Sequence, residues 1–297
     1  MTPGILTVVL IVLVIVLIVM LVFGDSTSAR ATRLASFARR QGVEVTEHNA
    51  DYIQTSLRQS RFWRRFGLLA SFVSGIGVTM PFGASRAEDQ PPARWLVLFA
   101  GWFLGLIVAE WRASGIATGG GHRRATLAPR AVRDYVTPAA AWVLGGFALI
   151  AAGSGLWMAV RATGHQEIRG PAGGVVAVAA AAALLVAATG RRILRRAQTV
   201  VDDALTAADD GLRARSLQLL AGGSVAATSW VAAAFLALVG RTDDPFAHGT
   251  SLWANIGGMG VLLAFAGSVA GVAVGTSPTV RTRRAPSRSA TRSTPVT

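Results

Sequence analysis

The sequence predicts an all-α integral membrane protein with seven transmembrane helices, and three observations lead to this fold class. Of the 297 residues, 52% are hydrophobic and only 15% are charged, whereas soluble domains carry about 25% charged residues. All 29 basic residues are arginines, and they lie in blocks between long apolar runs. Tryptophans stand near the ends of several runs, where side chains meet lipid headgroups.

The first apolar run, about residues 4–23, is interpreted as a retained first span. It holds nineteen consecutive apolar or threonine positions, close to the about 20 that a bilayer requires. It lacks the basic start and the small-residue cleavage site of a secretory signal. Six further runs complete the predicted membrane domain of residues 1–275, at 66–83, 95–111, 138–160, 172–190, 217–239 and 252–275.

The arginine distribution predicts the orientation of these spans. Twenty-four arginines fall in four alternating segments, namely 24–65, 112–136, 190–216 and the tail 276–297. The other five fall in the intervening loops 83–94, 161–171 and 240–251. Because arginine-rich loops stay in the cytoplasm, we expect an outer N-terminus and an inner C-terminus, with one leading span and three hairpins in a bacterial cytoplasmic membrane. The tail 276–297 is rich in Pro, Ser, Thr and Arg and is predicted to be disordered.

The composition argues against several kinds of chemistry. The absence of cysteine excludes disulfides and thiolate sites, and the absence of lysine excludes Schiff-base and phosphate-loop lysines. None of the fifteen acidic residues lies in the interior of a predicted span, and Glu110 comes closest, at the cytoplasmic end of the third span. Proton-coupled pumps keep ionisable groups at membrane depth, so this class is disfavoured. The net charge of +14 follows the loops, which favours anionic lipid headgroups over nucleic acid as the partner.

The last predicted span carries a stripe of small residues at intervals of three or four. Such a stripe lets another helix backbone approach closely. Packing within the chain is the main interpretation, and homodimerisation is the alternative. The helix-packing candidates are Gly260, Ala264, Gly267, Gly271 and Gly275.

The segment VVDDALTAADDGLRARS, residues 200–216, is the most acidic part of the chain. Helical spacing predicts that the fifth span continues, or restarts, as a cytoplasmic amphipathic helix over 191–210, with an apolar stripe. The stripe comprises Leu194, Val201, Leu205, Ala208 and Leu212. Four carboxylates are expected to face water: Asp202, Asp203, Asp209 and Asp210.

These aspartates are not expected to bind a metal. The pairs that share a face are seven residues apart, or about 10.5 Å of helical rise, too far for one cation. Asp209 and Arg213 form a favourable i,i+4 pair. A docking surface for a soluble partner is the alternative interpretation of this helix.

Three further segments carry weaker signals. Residues 27–41 are predicted to form a basic surface helix ended by Gly42, and SRFWRRF, residues 60–66, to anchor the second span at the headgroups. Nucleic-acid contact would use the same residue types. In the outer loop TDDPFAH, residues 242–248, a weak metal site is the alternative to a polar turn.

Lysine-free arginine loops, spans of Ala, Gly and Val, and the segment ADDGLRARS together resemble uncharacterised multi-span membrane proteins of high-GC actinobacteria across the whole chain. The resemblance implies no catalytic residues. Without a catalytic, cofactor or metal motif, we expect a non-enzymatic scaffold or accessory subunit that acts by association, as a homodimer or with another membrane protein. The alternative is a permease for a small neutral or apolar solute. A membrane-bound enzyme has the least support.

Overall fold

The computed structural model describes residues 27–79, 91–113, 131–164, 166–196, 203–239 and 252–277. In these ranges the chain is all-helical and contains no strand. A short 3-10 helix, Val132–Asp134, precedes the fourth α-helix. The α-helices are α1 (Thr27–Gln41), α2 (Glu47–Thr79), α3 (Pro91–Ala113), α4 (Pro138–Ala162), α5 (Gln166–Arg195), α6 (Asp203–Val239) and α7 (Leu252–Gly275).

Three of these helices contain stretches long and apolar enough to cross a membrane: Pro138–Val160 in α4, Arg169–Arg195 in α5 and Asp203–Leu238 in α6. A shorter apolar helical stretch, Met259–Gly275, lies in α7. The first predicted span, 4–23, lies outside the described residues, as does most of the predicted disordered tail. The structure therefore supports a helical membrane protein with at least three candidate spans.

Helix α6 occupies the centre of the bundle and contacts each of the other six helices. Its apolar window is 61% buried, whereas the windows of α4 and α5 are only 11% buried. Large apolar side chains consequently point outward from α4, α5 and α7, including Trp142, Leu156, Leu184, Leu262 and Phe265. In water such surface would be costly, and a bilayer is the solvent in which it is stable.

Two apolar clusters show that consecutive helices run in opposite directions. At one end of the bundle, Tyr135 before α4 packs with Ile193 of α5 and Leu217 of α6. At the other end, Met158 of α4 packs with Ala172 of α5 and Phe235 of α6. We call the first of these ends the arginine-rich end, because the arginine blocks of α2, α5 and α6 lie there.

Glycines allow two helix pairs to pack with their backbones in contact. A methyl group added at Gly67 of α2 would lie 2.7 Å from Cα of Gly105 in α3. One added at Gly222 of α6 would lie 2.9 Å from the backbone nitrogen of Gly275 in α7. Both distances are shorter than a van der Waals contact, so only glycine fits at this helix separation.

Helix α1 ends as its sequence predicts. Gly42 follows the last helical residue with φ of 62°, a left-handed conformation that glycine adopts without steric cost. The Val43 N–H then donates to the Ala38 carbonyl oxygen at 3.2 Å, which is the long-range bond of a Schellman cap. This turn directs the chain from α1 into α2.

One predicted helix boundary was wrong. Residues 66–79 of the second predicted span belong to the longer helix α2, which also contains the segment SRFWRRF, and residues 80–83 lie outside the described residues. A continuous helix over 191–210 does not form, because α5 ends at Arg195 and α6 begins at Asp203. The prediction that the segment restarts as a helix holds, and this restarted helix continues into the sixth predicted span.

Candidate functional site

A cluster of polar side chains surrounds Asp209 at the arginine-rich end. Arg213 Nη2 donates to Asp209 Oδ2 at 3.0 Å, and Arg196 Nη2 lies 3.2 Å from Asp209 Oδ1. The Tyr52 hydroxyl donates to Asp209 Oδ1 at 3.1 Å and accepts from Arg196 Nη2 at 2.7 Å. One carboxylate thus joins α2, the end of α5 and α6.

This cluster is buried, which corrects the prediction that Asp209 faces water. Its side chain is 2% exposed and that of Arg213 is 0% exposed. Helices α1 and α2 cover this face of α6, where Phe37, Ile53 and Leu57 pack on Ala208 and Leu212. The periodicity identified an apolar stripe correctly, but the side chains beside the stripe are covered as well.

Further hydrogen bonds hold the three helices in register around Asp209. Asn49, fully buried, accepts from the Thr46 N–H at 2.9 Å and so caps the start of α2. Its Nδ2 donates to the Ala204 carbonyl of α6 at 3.3 Å. Arg213 Nη2 also donates to the Arg196 carbonyl at 3.0 Å, which satisfies one of the last acceptors of α5.

The Tyr52 phenol stays protonated in this setting. Burial, and next the negative charge of Asp209, raise its pKa from 10.0 to about 12. The neutral hydroxyl is therefore available to donate to Asp209 over the whole physiological pH range.

The other residues of the predicted amphipathic helix differ in how far they are exposed. Ala208 and Leu212 are buried, Leu194 packs against the cluster around Tyr135, and Leu205 is half-buried. Asp203, at the start of α6, is exposed and Asp210 is half-buried. Val201 and Asp202 lie outside the described residues.

The glycine stripe of α7 lies against α6. A methyl added at Gly260 would lie 3.1 Å from the Ala233 carbonyl oxygen, Gly267 lies against Ser229, and Gly271 lies against Gly222. Ala264 is fully buried, and Gly275 is close to Leu219. The stripe faces a helix of the same chain.

Sequence reasoning missed a cavity at the arginine-rich end, which we call the basic cavity. It has a volume of about 270 Å³ and lies where α1, α2 and α6 meet the C-terminal end of α7. Its charged lining residues are Arg33, Arg40, Arg61 and Arg215, and its other polar lining residues are Ser36, Gln41, Gln218, Thr276 and Ser277. The spacing of Arg33 and Arg40, two helical turns apart on α1, was the available signal.

An adjoining cavity of about 280 Å³ shares part of this lining. It has Arg33, Leu57 and Arg61 in common with the basic cavity and adds Arg30 and Arg58. Asp51 is the acidic residue in its lining. The two cavities together place arginines of α1 and α2 around one surface depression.

Glu110 lies beside the basic cavity, at the end of α3. It is 6% exposed, accepts a hydrogen bond from the Ser216 side chain, and interacts electrostatically with Arg64 and Arg215. The buried Glu110 carboxylate therefore partly compensates the positive charges of Arg64 and Arg215.

Aromatic side chains surround the arginine-rich end. The Arg112 guanidinium lies over the Trp63 ring at 5.0 Å, and that of Arg192 lies over the Trp111 ring, also at 5.0 Å. Trp111 Nε1 donates to the Thr189 hydroxyl at 3.0 Å. Phe62 and Phe66 are among the exposed large apolar residues, as a headgroup anchor in residues 60–66 requires.

No group of three or more His, Asp or Glu side chains with metal-binding geometry occurs among the residues that the structure describes. The outer loop 242–248 lies outside those residues. Comparisons with protein-family models, with curated proteins and with solved structures find no match for this chain. Its functional interpretation therefore depends on its own residues.

Proposed function

We propose that the protein is a non-enzymatic, multi-pass protein of the bacterial cytoplasmic membrane that acts by association, as a scaffold or accessory subunit. The observation that carries the proposal is the uneven burial of its membrane helices. Only 11% of the apolar window is buried in α4 and in α5, so most of their surface is available to lipid or to another helix.

Glycines on the uncovered helices add to this argument. A methyl group added at Gly145, Gly146 or Gly153 of α4, or at Gly173 or Gly174 of α5, would meet nothing within 4 Å. Gly222 of α6 and Gly271 of α7, in contrast, contact each other's backbone. Because glycine lets a neighbouring membrane helix come close, these open positions suit a second copy of this chain or another membrane protein.

The packing of the interior favours association over permeation. Backbone contact closes the space between α2 and α3 at Gly67, and between α6 and α7 at Gly222. The basic cavity and its neighbour lie at one end of the bundle and are lined by arginines. A permease for neutral or apolar solutes needs a path at mid-membrane depth, and these features do not contribute to one.

The absence of cysteine from the chain permits a direct test of association. We expect Gly153→Cys on α4, or Gly174→Cys on α5, to form a cross-linked species in native membranes treated with a thiol cross-linker. Ser154→Cys is the matched control, since Ser154 is only 7% exposed and should not react. The mass of the product distinguishes a homodimer from a complex with another protein.

Two results together would reject the association proposal. One is the absence of cross-linking at every open glycine of α4 and α5. The other is solute-dependent swelling of liposomes that contain the purified chain, which would establish the permease instead.

The proposed topology has seven spans, an outer N-terminus and an inner C-terminus. It is supported by the 24 arginines in alternating segments against five in the others. We expect a reporter that is active only in the cytoplasm to work when fused after Thr297, and an export-dependent reporter to be inactive there. The opposite pair of activities would show that the orientation is reversed.

A further inference from the structure

We propose that the basic cavity binds a phosphate group, carried either by the headgroup of an anionic lipid or by a free phosphate-bearing anion. This site is additional to the association surfaces of α4 and α5, and its binding can be measured on the purified chain. The charge of the lining and an unpaired amide donor support this site.

The lining combines strong positive charge with neutral hydrogen-bonding groups. Its four charged side chains are guanidinium groups, and no carboxylate occurs among the described residues that line it. A guanidinium donates two parallel hydrogen bonds to adjacent phosphate oxygens and stays charged at every physiological pH. Four of them from three helices form a binding site for a multiply charged anion.

Three of these guanidinium groups, those of Arg40, Arg61 and Arg215, are close enough to interact electrostatically. Arg215 is repelled by Arg64, Arg61 and Arg40, and is attracted by Glu110. Around Arg215, the Glu110 carboxylate is the group that offsets this repulsion. A bound phosphate would supply up to two negative charges and would reduce the repulsion between these guanidinium groups.

Gln218 contributes an independent observation. It lines the basic cavity, is 2% exposed, and its Nε2 has no hydrogen-bond partner among the described residues. Its Oε1 accepts from Gln41 Nε2 at 3.3 Å. If both amides were rotated, the Gln41 amide nitrogen would become the unpaired donor instead. In either orientation the pair offers an N–H group, and a buried donor without an acceptor is costly.

Hydroxyl groups at the end of α7 donate to its C-terminal carbonyls, which carry partial negative charge. The Thr276 hydroxyl donates to the Val272 carbonyl at 2.8 Å, and the Ser277 hydroxyl donates to the Val274 carbonyl at 2.8 Å. These carbonyl oxygens are therefore already engaged by side chains of the same segment.

The test measures phosphate binding to the full-length chain purified in an uncharged detergent. Equilibrium dialysis with inorganic phosphate and with pyrophosphate reports a soluble ligand, and native mass spectrometry with phosphatidylglycerol or phosphatidylcholine reports a lipid headgroup. We expect saturable binding of at least one anionic probe, weakened by about ten-fold in Arg215→Gln, because a charge-assisted bond is lost. Binding should also weaken as the salt concentration rises.

Two further variants keep the test decisive. Arg40→Gln removes a lining guanidinium at an exposed position of α1, so it provides the same readout if Arg215→Gln does not fold. Arg133→Gln is the matched control, since Arg133 is exposed and outside the cavity. Loss of probe binding in the lining variants, together with unchanged binding in Arg133→Gln, supports the site, whichever probe binds. Absence of saturable binding by all anionic probes, or equal binding by the lining and control variants, overturns it.

Discussion

Replacing Asp209 with asparagine lowers the free energy of unfolding by about 3–5 kcal/mol, the usual result of removing one partner from a buried ion pair. The substitution keeps the size of the side chain but leaves Arg213, with 0% side-chain exposure, without its charge partner. It also weakens the bonds to Tyr52 and Arg196. Thermal unfolding of the detergent-solubilised protein measures the loss.

Asp203→Asn is the matched control for this prediction. Asp203 is another of the four aspartates that were predicted to face water, and it is exposed, so the melting temperature of Asp203→Asn should equal that of the wild type. A double variant with Arg213→Gln should lose less stability than the sum of the two single variants, because the two groups interact directly. Equal melting temperatures for Asp209→Asn and Asp203→Asn would contradict the buried ion pair and would show that Asp209 faces water, as the sequence predicted.

Replacing Gly222 with alanine separates α6 from α7 and lowers the free energy of unfolding by about 1–3 kcal/mol, the usual range for overpacking a tight core. The added methyl would lie 2.9 Å from the Gly275 backbone nitrogen, and closer still to the Gly271 carbonyl oxygen. Backbone atoms cannot move aside as a flexible side chain can. Unfolding in mixed micelles of increasing denaturing detergent measures the effect.

Replacing an open glycine with alanine should not lower the stability of the protein. Gly145→Ala on α4 meets nothing within 4 Å, and alanine favours a helix over glycine by up to about 1 kcal/mol. We expect this variant to be as stable as the wild type, or slightly more stable. If Gly222→Ala behaved in the same way, the close packing of α6 on α7 would be incorrect.

Local patterns in the sequence predicted the helical class and several details. Hydrophobic runs identified the apolar helices, glycine predicted the end of α1 at Gln41, and the spacing of small residues identified the packing face of α7. Each of these signals is contained within one helix. Periodicity reveals such features because a helix repeats every 3.6 residues.

The Asp209 cluster and the basic cavity depend on residues that are distant in the sequence. The i,i+4 pair of Asp209 and Arg213 was predictable, but Tyr52 is 157 residues away from Asp209. The helices that cover Asp209, α1 and α2, come from a segment predicted to lie in a loop or on the membrane surface. No local sequence pattern specifies which two helices pack together. In the sequence, a polar helix face that another helix covers therefore has the same pattern as one that faces water.

The central position of α6 affects the order in which the protein can assemble. Translation produces α4 and α5 before α6, yet Met158 of α4 and Ala172 of α5 are buried together with Phe235 of α6. An emerging chain therefore holds an inserted but incompletely packed hairpin until α6 has been synthesised and inserted. We therefore expect a chain truncated before α6 to be incompletely packed and more sensitive to proteolysis than the full chain.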